Sequence, residues 1–146
     1  MATGTLTPQP DQRTRARRLQ APVLVAVVLL AASVALHVRD PHRSGSWGIC
    51  PWLALTGTSC PGCGGLRAVN DLTHGDLAGA ASSNLLLVGS VPLLAVWWTR
   101  RTVDGWRGVR RQVPERTALL VTYGLLVAVV VFWVVRNLPF AGWLAP

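Results

Sequence analysis

The stretch of sequence that decides the fold runs from Cys50 to Arg67 and reads CPWLALTGTSCPGCGGLR. It contains every cysteine of the chain, at positions 50, 60 and 63. Glycine and proline interrupt it repeatedly, and both residue types end helices or favour turns. The stretch is therefore too broken to cross a bilayer as one helix, and its tryptophan and leucines make it too apolar for a free loop.

A short helix–turn segment at a membrane interface satisfies both constraints. We predict one helix from Pro51 to Leu55, ended by Gly57, and a second helix from about Gly65 to Thr73. Trp47 and Trp52 are expected at the level of the lipid headgroups, where tryptophan is enriched.

Three long uncharged runs surround this segment, and they are residues 19–38, 77–99 and 117–135. At a rise of 1.5 Å per residue, about 20 helical residues cover the hydrocarbon core of a bilayer, which is ~30 Å thick. Hydrophobic residues make up 51% of the 146-residue chain and charged residues only 14%, against about 25% charged in ordinary soluble domains. We therefore predict an all-α membrane protein with three transmembrane helices, and with the interfacial Cys-rich helix–turn segment between the first and the second.

This prediction divides the chain into seven parts. They are a disordered basic cytoplasmic tail (1–18), a first transmembrane helix (19–38), an extracytoplasmic or interfacial cysteine motif (39–76), a second transmembrane helix (77–99), a basic cytoplasmic loop (100–116), a third transmembrane helix (117–135) and an extracytoplasmic tail (136–146). A cleaved signal peptide is the alternative for the first helix, because a basic segment precedes it and small residues occur at positions 33–35. The uncharged run is longer than the 7 to 15 residues of a signal peptide's apolar core, which favours a retained helix.

The basic residues of the chain are unevenly distributed. All 14 are arginine, and the net charge is +8. Ten of them lie in residues 13–18 and 100–116, and four lie in the cysteine motif and the C-terminal tail. The positive-inside rule then places the N-terminus and the 100–116 loop in the cytoplasm and the cysteine motif outside. This sorting explains the charge without nucleic acid, and the basic loop is expected to attract anionic lipids.

The second transmembrane helix has three features of its own. Asp76 is placed to cap its first turn, and Pro92 is expected to kink it. Gly75, Gly79 and Ser83 follow the spacing at which small residues let helices approach closely. We expect this face to mediate self-association or contact with a membrane protein partner.

The cysteine motif, Cys-Pro-x4-Thr-Gly-x2-Cys-Pro-x-Cys-Gly followed by Arg-Ala and Gly-Asp, resembles a bacterial membrane family known as domain of unknown function 2752. The matching residues are Cys50, Pro51, Thr56, Gly57, Cys60, Pro61, Cys63, Gly64, Arg67, Ala68, Gly75 and Asp76. The family usually has threonine before the arginine, where this chain has Leu66. The resemblance covers about residues 46–98 and implies a small multi-pass protein of the bacterial cytoplasmic (inner) membrane. It implies no activity.

Three chemical roles are open for the cysteines. A structural disulfide from Cys50 to Cys60 or Cys63 suits an oxidising outer face. Thiol–disulfide exchange suits the Cys-Pro-Gly-Cys spacing, with Pro61 at the first helical position and Cys60 near a helix N-terminus that lowers its thiol pKa. Zinc binding would use the three cysteines and His74, although only one Cys-x-x-Cys pair is present. His74 is otherwise a helix-end residue that hydrogen-bonds to carbonyl groups.

No complete catalytic constellation surrounds the motif, so a non-enzymatic role is favoured. We expect a scaffold or accessory subunit that docks a partner through residues 50–67. The alternative is a thiol–disulfide or metal-handling membrane protein that uses Cys60 and Cys63. Arg67, with Trp47 and Trp52, is a candidate contact for a lipid phosphate or for a partner.

Overall fold

The computed structural model describes residues 9–43, 46–48 and 50–144 of the chain. Its helices are α1 (Arg15–Val38), α2 (Pro51–Thr56), α3 (Gly65–Thr73), α4 (Leu77–Arg107) and α5 (Glu115–Arg136), followed by a 3₁₀ helix at Pro139–Leu144. Two short strands, β1 (Gln9–Pro10) and β2 (Val109–Arg110), pair antiparallel. The predicted helical fold, with a Cys-rich helix–turn segment between the first two long helices, is confirmed.

Three of the helices, α1, α4 and α5, are long and apolar enough to cross a membrane. Their most apolar stretches have mean hydropathies of 2.4, 1.6 and 2.7, and at most 17% of the residues in any of these stretches are buried inside the protein. Exposed apolar surface is unfavourable in water by about 25 cal/mol per Å². A lipid environment removes this cost, so the exposure agrees with the prediction of three membrane-spanning helices.

The helices α1 and α4 run antiparallel and pack together. The indole Nε1 of Trp98 donates to the carbonyl of Pro22 at 3.1 Å, and Gly105 lies against the backbone of Arg18. The first turn of α1 and the last turns of α4 therefore lie at one end of the molecule. The cysteine segment, which joins the end of α1 to the start of α4, lies at the opposite end.

Helix α3 packs against the last turns of α1 and the first turns of α4, where small side chains permit close approach. Ala68 is fully buried there. The amide of Asn70 donates to the carbonyl of Leu36 at 2.7 Å, a carbonyl in the last turn of α1 that has no helical partner. The hydroxyl of Ser83 donates to the carboxylate of Asp71 at 2.9 Å. These bonds fix the cysteine turn that immediately precedes α3.

Helix α4 is broken at Asn84, and the kink expected at Pro92 stays a prediction. Asn84 has φ −160° and ψ 92°, and Pro92 continues the helix. The side-chain Oδ1 of Asn84 accepts from the N–H of Leu87 at 3.0 Å, which is the bond made by a helix N-cap. Asn84 thus ends a short first half of α4 and caps the longer second half. The predicted cap at the start of α4 is confirmed, since Asp76 accepts from the N–H of Gly79 at 2.8 Å.

Part of the segment predicted as a disordered tail has defined structure. Gln9 and Pro10 pair with Arg110 and Val109, and α1 begins at Arg15 rather than at residue 19. The arginines of this segment do not interrupt α1, because arginine is a good helix former. Residues 1–8 of the predicted tail, and residues 145 and 146 of the predicted C-terminal tail, lie outside the described residues.

Candidate functional site

The three cysteine thiols lie together at the end of the molecule where α1 ends and α4 begins. The Sγ atoms of Cys50, Cys60 and Cys63 are all within 4.8 Å of one another. The Sγ–Sγ distance is 3.6 Å from Cys50 to Cys60 and 2.9 Å from Cys60 to Cys63. Cys63 is buried, and Cys50 and Cys60 are half-buried. We call these three side chains the thiol cluster.

The predicted structural disulfide is not formed. All three cysteines are free, and the Sγ distances of 2.9 and 3.6 Å are well beyond the ~2.05 Å of a disulfide bond. The sulfur atoms instead converge on a common centre, and neighbouring thiols hydrogen-bond to one another. The cluster is therefore a set of three reduced sulfur donors.

Cys50 enters the cluster from the N-terminus of α2. It is the N-cap of that helix, and Pro51 occupies the first turn, where its missing N–H costs nothing. The backbone N–H of Leu53, in the first turn of this helix, lies on the side of the Cys50 sulfur and favours its thiolate form. Cys60 had been expected at such a helix start, but α3 begins only at Gly65. The glycine-rich sequence after Pro61 favours a turn over a helix.

The turn from Cys60 to Gly64 is held by its backbone carbonyl groups. The amide of Asn84 donates to the carbonyls of Pro61 at 3.0 Å and of Cys63 at 3.1 Å. The guanidinium of Arg136, at the end of α5, donates to the carbonyls of Cys60 at 2.9 Å and of Cys63 at 3.1 Å. Both donors are buried, with exposures of 2%. The turn is thereby fixed from two helices while its sulfur atoms stay unblocked.

Further contacts dock α5 onto the cysteine segment. Asn137 exchanges two hydrogen bonds of 2.9 Å with the backbone N–H and carbonyl of Ser59. The rings of Trp52 and Trp133 meet edge to face, with their centroids 5.7 Å apart, a geometry that adds stabilisation beyond area burial. The C-terminal end of α5 is thus part of the site.

The thiols of the cluster differ in acidity. The hydrogen bond from the Leu53 N–H, supported by one from Cys63, lowers the pKa of Cys50 to about 7. Burial, followed by hydrogen bonding to Cys60 and Cys50, raises the pKa of Cys63 to about 12. Cys50 therefore supplies the first thiolate of the cluster near neutral pH, and a cation would be needed to hold Cys63 as a thiolate.

A polar chain joins the residues that directly follow α1 to α3 and α4. His42 lies between two carboxylates, with Nδ1 at 2.9 Å from Asp40 and Nε2 at 3.3 Å from Asp71. The backbone N–H of His42 also donates to Asp40 and lowers the pKa of that carboxyl group. Asp71 in turn accepts from Ser83. Residues 40–42 are thereby joined to both α3 and α4.

The other residues predicted for the site lie outside the thiol cluster. His74 lies outside the group of three cysteines, since its ring stacks on His37 at 4.2 Å and its Nδ1 lies 2.9 Å from the carbonyl of Asn70. The helix-end role foreseen for His74 describes its position better. Arg67 reaches the carbonyl of Pro41 at 3.5 Å.

The two tryptophans predicted at the interface are bound within the segment. The indole of Trp47 donates to the carbonyl of Arg39 at 3.0 Å, and that of Trp52 donates to the hydroxyl of Thr58 at 3.1 Å. Both rings are partly exposed, at 40% and 46%. They combine an anchored polar end with an accessible apolar face.

Sequence reasoning missed Arg136, Asn137 and the capping role of Asn84. Asn84 directly precedes an apolar run, which is a helix-start signal. Arg136 stands alone at the end of the third apolar run, on the arginine-poor side of the chain, and a charged residue in that place needs a buried partner. No sequence pattern identifies the cysteine turn as that partner, because 73 residues separate Arg136 from Cys63.

The comparisons with known proteins bear on the same segment. No curated protein and no solved structure matches the chain. Residues 50–98, which include the thiol cluster and Asn84, match the family model described as "Protein of unknown function (DUF2752)". The predicted resemblance is therefore confirmed, and this cysteine-bearing third of the chain is similar to the DUF2752 family.

Proposed function

We propose that this protein is a metal-handling membrane protein whose thiol cluster binds one soft or borderline metal ion of the Zn²⁺ or Cu⁺ type. The observation that carries the proposal is the convergence of three free sulfur atoms within 4.8 Å. Thiolate ligands select these ions over hard cations such as Mg²⁺ or Ca²⁺. All three cysteines of the chain belong to this cluster.

The spacing of the sulfur atoms suits direct coordination. A Zn–S bond of about 2.3 Å in a tetrahedral site places neighbouring sulfurs roughly 3.8 Å apart. The observed separations of 2.9 and 3.6 Å, with the upper limit of 4.8 Å, bracket that value. Small side-chain rotations about a fixed backbone are enough to reach it.

The surroundings of the cluster favour a bound cation that can be exchanged. Within the described residues, no histidine or carboxylate joins the three sulfurs, so a tetrahedral ion would keep one position for water or an incoming ligand. Open positions of this kind distinguish reactive sites from closed structural ones. The bonds from Asn84 and Arg136 hold the turn in place before metal binding, which lowers the cost of assembling the site.

The proposal includes a location and an orientation. The arginine-rich segments, residues 13–18 and 100–111, lie at the end opposite to the thiol cluster, and the positive-inside rule assigns such an end to the cytoplasm. We place the protein in the bacterial cytoplasmic membrane with the cluster and the C-terminus at the outer face. The cluster would then receive or deliver its ion on that side.

Two further roles compete with metal handling. A scaffold that docks a partner through residues 50–67 is favoured by the exposure of Leu55, at 86%, and of Trp52, at 46%. Self-association or contact with a membrane protein partner through Gly75, Gly79 and Ser83 belongs to the same proposal. Thiol–disulfide exchange is favoured by the 2.9 Å contact between the Cys60 and Cys63 sulfurs. Exchange needs only these two cysteines, whereas metal binding needs Cys50 as well.

Metal loading of single-cysteine variants tests the proposal. Purified protein is equilibrated with Zn²⁺ or Co²⁺, and metal per chain is measured by mass spectrometry and by thiolate-to-cobalt charge-transfer absorption. We expect one ion per wild-type chain. We expect Cys50→Ser, Cys60→Ser and Cys63→Ser each to lower the affinity more than about 100-fold, since even the partners of metal ligands contribute 10- to 100-fold.

Ser59→Ala is the matched control, because Ser59 adjoins Cys60 but contributes only backbone groups to the described contacts. This variant is expected to load like the wild type. Wild-type protein that takes up no ion would refute the proposal, and so would Cys50→Ser protein that binds as tightly as the wild type. In the second case, equal loss of dithiol reactivity in Cys60→Ser and Cys63→Ser would support thiol exchange instead.

A further inference from the structure

A polar cavity lies at the end of the molecule opposite to the thiol cluster. It has a volume of about 490 Å³ and is lined by residues 11 and 13 before α1, by residues 101, 104 and 105 near the end of α4, and by residues 109–113. The pairing of β1 with β2 brings these segments together, and the N–H of Asp11 donates to the carbonyl of Gly108 at 2.9 Å. This volume falls in the range of about 300 to 1,000 Å³ that is usual for small-molecule sites.

Positive charge dominates the wall of this cavity. The charged lining residues are Arg13, Arg101, Arg110, Arg111, Asp11 and Asp104. Arg111 is paired with Asp104 at 3.1 Å. Within the part of the chain that the structure describes, the guanidinium groups of Arg13, Arg101 and Arg110 make no hydrogen bond or ion pair. Three guanidinium groups are thus available to an anion.

Another guanidinium group lies directly behind the wall. The Nη1 of Arg18 donates to the carbonyl of Asp11 at 3.3 Å. Its Nε is buried and has no hydrogen-bond partner among the described residues. A side chain at Gly108 would collide with this guanidinium group. The positive charge of Arg18, held against the lining residue Asp11, adds to that of the guanidinium groups in the wall.

The position of the cavity relative to the apolar parts of α1 and α4 indicates what kind of anion reaches it. The uncharged run of α1 begins at Leu19 and that of α4 ends at Thr99, so Arg13 and Arg101 lie just beyond the apolar part of each helix. Arginines at that position meet lipid phosphates in a bilayer. Arginine also binds phosphate oxygens through two parallel N–H groups, a geometry that lysine lacks.

We infer that this cavity is a binding site for a phosphate monoester or diester. The glycerophosphate headgroup of an anionic lipid and a soluble organic phosphate carry the same chemistry. The site is independent of the thiol cluster, because it lies at the other end of α1 and α4.

Paired arginine variants test the site in nanodiscs. The cavity variant is Arg101→Ala with Arg110→Ala. The matched control is Arg100→Ala with Arg107→Ala, which removes the same charge from the same region but no lining residue. Phosphatidylglycerol retained by the protein is counted by native mass spectrometry after release from mixed phosphatidylcholine–phosphatidylglycerol nanodiscs. In a second arm, glycerol 1-phosphate is titrated into protein in pure phosphatidylcholine nanodiscs.

We expect the cavity variant to lose more than about 10-fold in affinity relative to the control, since each charge-assisted hydrogen bond to an ion contributes about that much. Loss confined to the lipid arm identifies a lipid headgroup as the source, and loss in the soluble arm identifies a free phosphate. Arg101→Lys with Arg110→Lys, which keeps the charge, is also expected to bind more weakly than the control. Equal binding by the cavity variant and the control, or no binding of either probe to the wild type, would overturn the inference.

Discussion

Cys50 and Cys63 have opposite environments although their sulfur atoms are neighbours. Cys50 occupies the N-cap position of a helix, where the backbone N–H of Leu53 favours its thiolate, whereas Cys63 is buried. A helix N-terminus stabilises a thiolate, and burial disfavours one. The cluster therefore contains one acidic thiol, which in the proposed metal site would be the first ligand, and one thiol whose ionisation a bound cation would favour.

This difference predicts an order of alkylation in the metal-free protein. Below pH 7 Cys50 is mostly a thiol and reacts slowly; above pH 7 it is mostly a thiolate, so its rate rises to a plateau with a midpoint near its pKa of about 7. Cys63 stays protonated through this range, because burial raises its pKa to about 12. Pulsed iodoacetamide labelling with peptide mass spectrometry measures each rate. Similar rates for the three cysteines in the folded protein would contradict the prediction, and denaturation is expected to equalise them.

The sequence contains two Cys-Pro pairs, and only one of them starts a helix. Cys50-Pro51 is followed by Trp, Leu and Ala, which extend into α2. Cys60-Pro61 is followed by glycines at positions 62, 64 and 65, whose backbone entropy opposes a helix. The cap could therefore be predicted at Cys50 from local propensity. The meeting of the three sulfurs could not, because it depends on bonds from Asn84 and Arg136.

At the scale of the elements, α4 acts as two helices joined at Asn84. The first half packs on α3, and the second half is long enough to reach the opposite end of the molecule. Asn84 uses its amide N–H groups on the cysteine turn and its oxygen on the N–H of Leu87. One side chain thus caps a helix and positions the site.

Replacing Asn84 with alanine is expected to lower the free energy of unfolding by about 2 to 4 kcal/mol. Loss of an N-cap costs about 1 kcal/mol, and a carbonyl left buried without a donor costs about 1 to 3 kcal/mol. Unfolding in a titration with a denaturing detergent measures the change. Ser82→Ala is the control, because the exposed hydroxyl of Ser82 bonds only within its own helix. A change below about 0.5 kcal/mol for Asn84→Ala, the usual range of exposed substitutions, would show that Asn84 has no such role.

For the whole molecule, the three apolar helices and the uneven distribution of arginine between the two ends could be predicted. Both follow from the positions of charged residues along the sequence. Uncharged runs of bilayer length need no tertiary contact to be recognised. The arginine-lined cavity could not be predicted, because it forms where β1 pairs with β2, and two-residue strands have no periodic pattern to recognise. The docking of α5 could not be predicted either, because its bonds to the cysteine turn join residues that lie 73 or more positions apart in the sequence.

Topology reporters test the proposed orientation. Green fluorescent protein fused before residue 1 is expected to fluoresce, because it stays in the cytoplasm. Alkaline phosphatase fused after residue 146 is expected to be active, because it folds only outside. The controls carry alkaline phosphatase before residue 1 or green fluorescent protein after residue 146. Neither control is expected to show activity or fluorescence. If alkaline phosphatase before residue 1 were active and green fluorescent protein after residue 146 fluoresced, the orientation would be the opposite one, with the thiol cluster on the cytoplasmic side.

The contact between Arg136 and the cysteine turn has a consequence for biogenesis. Residue 63 leaves the ribosome 73 residues before its buried partner, an interval of about 4 to 15 s at 5 to 20 residues per second. Until α5 is inserted, the newly made cysteines lack the groups that shape them. Maturation of the site therefore follows insertion of the last span, and in a chain truncated before residue 136 the cysteine turn would keep the bonds from Asn84 but lose those from Arg136.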